Sequence, residues 1–274
     1  MRSTIVKSRV RAGFDHGSRF YGDSAPFQDE LGLQMVESLA TLDHRGSVAI
    51  ELGCGVGKLT RDVAGTGRYK TVVGLDISGG MLKETQGRLR ETGAVASLVQ
   101  ADMESLPFRN GSADIVFSNL VFHWLPELAE GFRQVERTLK KDGVFLTNIL
   151  AEKTFAEIRE ALDAAQARIG AKSDPSIFHP FPPLERILRS LESAGLAITQ
   201  NLARDYTRVF PDPLSIMRSL KRQGVQNSRG LAEMGLGRRG VMKRFDEEYR
   251  ARFTVPEGVR LTYQVIHLCA VRSR

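Results

Sequence analysis

The chain has 274 residues, 42% apolar and 26% charged, with a net charge of +7. That length suffices for one large domain with a sizeable core, and no apolar run approaches the roughly 18 residues of a membrane span. Met1 to Arg11 is charged throughout, which argues against an export signal, and the two cysteines, Cys54 and Cys269, suit a reducing compartment such as the cytoplasm, with neither a disulfide nor a metal site expected.

Residues 26–40 read as an amphipathic helix leading into a first strand. Val48 to Leu52 is a short apolar run of the kind a buried parallel strand leaves in a sequence. Gly53-Cys54-Gly55-Val56-Gly57 follows, then a helix from Lys58 to Ala64. Such glycines let the backbone turn tightly and leave no side chain between loop and ligand. A strand, a glycine loop and a helix build the nucleoside pocket of a doubly wound α/β sheet at its switch point. A dinucleotide fingerprint would place its third glycine at position 58, where Lys58 stands. A ligand-free strand-to-helix turn is the plain alternative.

Val72 to Asp76 is a second buried strand, and its terminal carboxylate is suited to accept both hydroxyls of a ribose. Asp76 therefore supports an adenosyl ligand without choosing which. Further strands are expected near 95–100, 113–118 and 143–148. Leu128 to Leu139 reads as a helix closed by the basic turn and glycine of Lys140-Lys141-Asp142-Gly143. Thr154 to Ile169 is helical, Asp174 to Pro183 is a proline-rich break, and Leu184 to Ser193 is a helix ended by Gly195. A sixth strand is expected near 196–204 and a last one from Leu261 to Arg272. Between them Pro211 to Arg252 is an insertion of helical character, longer than a sheet connection needs. The expected fold is α/β, a doubly wound and mostly parallel sheet in a single domain over 1–274. Residues 1–35, 151–183 and 211–252 would form a helical cap over the carboxyl ends of the strands, where ligands enter.

Charge is unevenly placed. From Asn201 onward there are fifteen Lys or Arg against seven Asp or Glu. A basic cluster steers acidic partners by its long-range field; a solvated helix face is the plainer reading. No aromatic residues interleave with these charges and no nucleic-acid motif appears, so nucleic acid is not an expected partner.

The run Glu51-Leu52-Gly53-Cys54-Gly55-Val56-Gly57, an acid two residues before G-x-G-x-G, resembles motif I of the class I S-adenosylmethionine-dependent methyltransferases. Val72-Val73-Gly74-Leu75-Asp76 with Ile77-Ser78-Gly79-Gly80-Met81, then Ala101-Asp102-Met103, then Ala113 to Asn119, continue the likeness in order. The resemblance implies a seven-stranded sheet whose last strand inserts antiparallel between the fifth and sixth, and S-adenosyl-L-methionine as cofactor. By that resemblance the cofactor contacts are Glu51, Gly53, Cys54, Gly55 and Gly57, then Asp76 and Ile77. Met81 would pack on the adenine face, Asp102 would receive the adenine amino group, Met103 would offer its N–H to a ring nitrogen, and Asn119 would meet the methionyl end.

A narrower likeness runs through the cap. Val10 to Tyr21, Ser118-Asn119-Leu120-Val121-Phe122-His123-Trp124, Phe210-Pro211-Asp212-Pro213, Leu220-Lys221-Arg222-Gln223-Gly224-Val225-Gln226-Asn227 and Leu261-Thr262-Tyr263-Gln264-Val265 are similar to segments of the malonyl-acyl-carrier-protein O-methyltransferases of biotin synthesis. Lys140-Lys141-Asp142-Gly143 departs from the usual Arg/Lys-Pro-Gly-Gly, the segment from Arg229 does not align, and the His-Trp pair is shared with mitochondrial complex I assembly factors. The resemblance implies methyl transfer to the free carboxylate of a malonyl thioester on an acidic acyl-carrier protein. Tyr21 and His123 are then candidates beside the methyl group, and Lys221 or Arg222 toward the substrate. A small-molecule methyltransferase and a non-catalytic, assembly-factor-like relative are the other classes.

Overall fold

The computed structural model describes residues 5–24, 26–42, 46–168, 170, 180–222 and 239–273. Strands β1 (Gly46–Leu52), β2 (Tyr69–Asp76), β3 (Ser97–Gln100), β4 (Ala113–Asn119), β5 (Leu139–Leu150), β6 (Leu196–Phe210), β7 (Thr254–Val255) and β8 (Gly258–Arg272) form one sheet. Its main path runs β3-β2-β1-β4-β5-β8-β6, and the two-residue β7 pairs with β8 off that path. β1 to β5 are parallel, while β8 runs antiparallel between β5 and β6. The expected seven-stranded path and the inserted last strand are both present, and β7 raises the total to eight.

Helices α1 (Lys7–Ser24), α2 (Pro26–Thr41), α3 (Lys58–Gly65), α4 (Gly79–Thr92), α5 (Leu128–Thr138), α6 (Ala156–Ala167), α7 (Leu184–Ser193), α8 (Pro213–Arg222) and α9 (Arg239–Phe253) accompany the sheet. Successive strand residues point to opposite faces, and the core divides accordingly. Ala49, Ile115 and Phe117 join Met35 and Leu39 of α2 with Leu59 and Val63 of α3. Ile50, Leu52 and Val116 join Phe132 and Val135 of α5 with Ile187 and Leu191 of α7. Helices on both faces explain why the central strands read as unbroken apolar runs. A third cluster gathers Phe27 and Leu31 of α2, Ile158 and Leu162 of α6, Ile216 and Leu220 of α8, and Phe245 and Tyr249 of α9 around Leu261 and Tyr263 of β8.

Three boundaries differ from the sequence expectation. The helix expected over Leu128–Leu139 stops at Thr138, and Lys140 to Gly143 belongs to β5 rather than to a helical last turn. Ala113 pairs with Leu139 and Ile115 with Val144, so three extra residues bulge from β5. Asp142 takes φ +62° to make the bulge, and Lys140 Nζ bonds Asp114 Oδ2 across it at 2.8 Å. A charged segment ending in glycine has the composition of a helix stop, and only pairing with β4 makes it strand. β6 and β8 each extend farther than expected, to Phe210 and from Gly258, because they pair with each other along almost their whole length. Of the helical insertion, α8 and α9 are observed, and 223–238 lies outside the described residues.

Candidate functional site

The carboxyl ends of β1, β2 and β4 open onto a crevice of about 760 Å³. Gly53, Gly55, Asp76, Ile77, Met81, Asp102, Met103 and Asn119 line it, together with Lys7, Val10 and Phe14 of α1 and Leu120, Val121, Trp124 and Leu125 after β4. A second recess of about 900 Å³ shares Gly53, Gly55 and Asn119 with it. Gln28, Asp29, Glu51, Cys54, Lys58, Arg61 and Asp62 line this more polar space.

The three glycines of the loop do different work. All take positive φ, +72°, +53° and +76° for Gly53, Gly55 and Gly57. A Cβ on Gly53 would stand 2.5 Å from Val121, and one on Gly57 only 2.3 Å from Thr85 Cγ2. Gly57 therefore closes the loop against α4, as the residue preceding α3, and lines neither space. A Cβ on Gly55 would meet nothing within 4 Å; that residue faces the opening. The loop is hung from β2 by Gly53 and Cys54 N–H bonds to the Leu75 carbonyl, at 2.7 and 2.9 Å.

Two buried carboxylates bracket the loop. Glu51 is 2% exposed and accepts a hydrogen bond from Thr60 Oγ1. Burial pushes its pKa up to about 8 despite that bond, with the Asp76 charge adding to the rise. Asp76 accepts from Gly55 N–H at 2.9 Å and Ser78 N–H at 2.8 Å. Burial still leaves its pKa raised. Burial likewise pushes the Cys54 thiol up.

Helix α1 roofs the crevice and is tied down at two points. Lys7 Nζ bonds Asp102 Oδ2 at 2.6 Å and also pairs with Glu104. Burial lowers the Lys7 pKa, but these carboxylates outweigh it and the net shift is upward. Next to Phe14 in the chain, Asp15 Oδ1 accepts from Ser78 Oγ at 2.5 Å and Gly80 N–H at 3.1 Å at the start of α4. Between these ties the Phe14 ring meets Trp124 edge-on, centroids 5.5 Å apart. Trp124 reaches that position because Leu120 takes φ +58°, rare for leucine, and turns the chain out of β4 into the short 3-10 turn Phe122–Trp124.

A family profile described as a methyltransferase domain matches residues 50–147, from β1 to the middle of β5. The structure is similar to that of YcgJ from Bacillus subtilis, with a TM-score of 0.63 at 16% identity over 89% of this chain and 99% of that one. Residues 50–147 carry a methyltransferase domain. Beyond that domain, the methyltransferase is 28% identical to the curated malonyl-[acyl-carrier protein] O-methyltransferase of Geobacter sulfurreducens, covering 96% of this chain and 98% of that protein. It is also 28% identical to the protein of the same name from Methylovorus sp., over 96% of this chain and 88% of that one.

The methyltransferase brings most of the sequence-derived site residues together. Gly53, Gly55, Asp76, Ile77, Met81, Asp102, Met103 and Asn119 share the crevice, while Glu51 and Cys54 border the adjoining recess. His123 does not line either space: it is 3% exposed and packs against the rings of Trp124 and Phe181. Tyr21 lies on α1, with its side chain outside the described residues. Lys221 is exposed on α8, away from the crevice lining, and the side chain of Arg222 lies outside the described residues. Sequence reasoning missed Lys7, Val10, Phe14 and Trp124 as wall residues. The only available signal was the alternation of Lys7, Val10 and Phe14 at helical spacing.

The residues present fit an adenosyl cofactor. An unsubstituted glycine faces the opening, and two strand-end carboxylates stand among Val10, Ile77, Met81 and Met103, as a polar-edged, flat-faced base and ribose require. Among the described residues no group of three His, Cys, Asp or Glu could hold a metal ion. No helix among them is long and apolar enough to cross a membrane.

Proposed function

We propose that this methyltransferase transfers the methyl group of S-adenosyl-L-methionine to the free carboxylate of a malonyl group carried on an acyl-carrier protein, a step of biotin precursor synthesis, in the cytoplasm. The observation that carries the reading is similarity over 96% of the chain to proteins of that activity, including α8, α9 and β8 beyond residues 50–147. Two free cysteines, one buried in the glycine loop, support a reducing compartment.

When bound, the cofactor supplies an electrophilic methyl on a sulfonium. This chain's residues bind, orient and exclude water around it. Asp76 is the acceptor suited to the ribose hydroxyls, Asp102 to the adenine amino group, and Met81, Met103 and Ile77 to the base faces, all lining one crevice. The Gly53-to-Gly57 loop admits the nucleoside closely, and Glu51 and Asn119 serve its other end. A carboxylate nucleophile is ionised at neutral pH, so no general base is needed, and positioning in line carries the reaction. Its charge is partly lost in the transition state, so a direct salt bridge to the attacking oxygen would stabilise the ground state more. Tyr21 is assigned to orienting the acceptor and Lys221 or Arg222 to the malonyl or carrier side, while His123, buried against Trp124 and Phe181 and lining neither space, is left a packing role rather than the place beside the methyl group that the sequence suggested. Helices α1, α2, α6, α8 and α9 form the cap, supported by the apolar cluster that α2, α6, α8 and α9 share. The excess of Lys and Arg beyond Asn201 supports an acidic carrier.

The test offers malonyl-acyl-carrier protein, malonyl-CoA and free malonate with isotopically labelled cofactor, and mass spectrometry reads which gains a methyl. Preference for the carrier-bound form, falling at high salt, supports the reading. Methylation of free malonate alone, or of none, overturns it.

A further inference from the structure

Asn119, at the end of β4, is the side chain shared by the nucleoside crevice and the polar recess beside it. Its amide is held by a hydrogen-bonded chain that crosses four strands, β4, β5, β8 and β6. Asn119 Nδ2 donates to the backbone carbonyl of Gln28 at 2.9 Å, and Asn148 Nδ2 of β5 donates to Asn119 Oδ1 at 2.9 Å. Asn148 Oδ1 lies 2.8 Å from His267 Nδ1 on β8. His267 Nε2 is 3.0 Å from the Tyr206 hydroxyl of β6, which in turn is 3.2 Å from Gln34 Oε1. The chain thus leaves helix α2 at Gln34 and returns to it at Gln28.

Its direction is forced from one end. A backbone carbonyl only accepts, so Asn119 must turn its NH2 toward Gln28 and its oxygen toward Asn148. Asn148 then presents its NH2 to Asn119 and its oxygen to His267, whose Nδ1 must carry a proton. Burial, reinforced by the nearby Arg204, holds the imidazole pKa below its ordinary value. The neutral ring therefore has Nδ1 protonated and Nε2 as an acceptor, and the Tyr206 hydroxyl shares its single proton between His267 Nε2 and Gln34 Oε1. Asn148 and Tyr206 are 5% and 6% exposed, so water does not readily replace a missing partner. Asn119 is left with its oxygen turned to Asn148 and one further N–H with no acceptor among the described residues.

We propose that His267 is a positioning residue which, through Asn148, fixes the Asn119 amide so that it offers an N–H donor to the cofactor's α-carboxylate. The inference rests on the cofactor reading above. With the nucleoside in the crevice of Asp76 and Asp102, the amino-acid tail extends toward the polar recess. There an amide donor selects the tail's carboxylate, whereas a free carbonyl would select its ammonium.

The experiment compares S-adenosylmethionine with decarboxylated S-adenosylmethionine, which keeps the adenosine, sulfonium and amine, by isothermal titration calorimetry on the full chain. Wild type is expected to prefer the carboxylate-bearing form. H267L should weaken that form about tenfold, as for one charge-assisted hydrogen bond, and leave the decarboxylated form within about twofold. H267N, whose amide N–H stands where Nδ1–H stood, should retain the wild-type preference. N119D, which puts an acceptor in place of the donor, should abolish the preference whether or not H267L folds. Equal losses on both ligands in H267L, no loss in H267L, H267N matching H267L, or a preference preserved in N119D would each overturn the proposal. Failure of wild type to bind S-adenosylmethionine at all would instead overturn the cofactor reading.

Discussion

Lys7, at the first residue of α1, bonds the Asp102 carboxylate beyond the end of β3, Nζ to Oδ2 at 2.6 Å, across 95 residues of chain. The same ammonium pairs with Glu104. A helix that precedes the sheet in sequence is thereby fastened to the strand end where a nucleoside base is expected. Replacing Lys7 with Met should cost no more than about 1 kcal/mol of stability, because the pair is partly exposed and screened. Loosening the roof should have the larger effect, raising the cofactor Kd severalfold by calorimetry. An unchanged Kd would show that α1 does not hold the ligand.

Gly55 and Gly57 separate ligand contact from packing. Gly57→Ala meets both left-handed strain and the Thr85 methyl. It should lose about 2–5 kcal/mol in a denaturant titration. Gly55→Ala has open space for its Cβ and should lose only about 1–2 kcal/mol, from its positive φ. Its cofactor affinity should nevertheless fall at least tenfold, because the new methyl occupies the opening. Equal stability losses in the two variants would contradict this division.

Glu51 makes the ligand-free protein sensitive to pH. Its folded pKa is raised to about 8 from an ordinary 4.5. Between these values the unfolded chain releases the proton while the folded chain keeps it, so stability falls as pH rises. The slope from one group is at most about 1.4 kcal/mol per pH unit. Glu51→Gln keeps the shape without the titration and should flatten the decline in melting temperature between pH 5 and 8. A variant with the wild-type slope would place the pH dependence elsewhere.

Trp124 and Phe14 meet edge-on at 5.5 Å and both face the crevice. Trp124→Ala should raise the cofactor Kd about tenfold, in the range of losing one ring-face contact, while Trp124→Phe should recover most of it. Intrinsic fluorescence would report binding directly, since Trp124 is the chain's one tryptophan. Absence of any fluorescence change on adding cofactor to wild type would argue that the ring lies outside the occupied volume.

The central fold was legible in the sequence because its signals are local. A parallel strand buried on both faces leaves a continuous apolar run, as in β1, β2 and β4, and the glycine loop and Asp76 follow their strands directly. The start of β5 was not legible. Lys140 to Gly143 has the composition of a helix stop, and its strand character exists only through pairing with β4. Gly57 was likewise indistinguishable from Gly55 until the side chain behind it, Thr85, was in place.

The amino-acid order alone determined the layered sheet, the strand-end carboxylates and the glycine turn, since each depends on neighbours a few positions away. Tertiary structure alone decided which residues of α1 wall the crevice, that His123 turns into the core, and that Asn119, Asn148 and His267 align. Their partners lie 29 and 119 residues apart along the chain. Contacts of that kind follow from strand register, which is set by how whole faces of the sheet bury together.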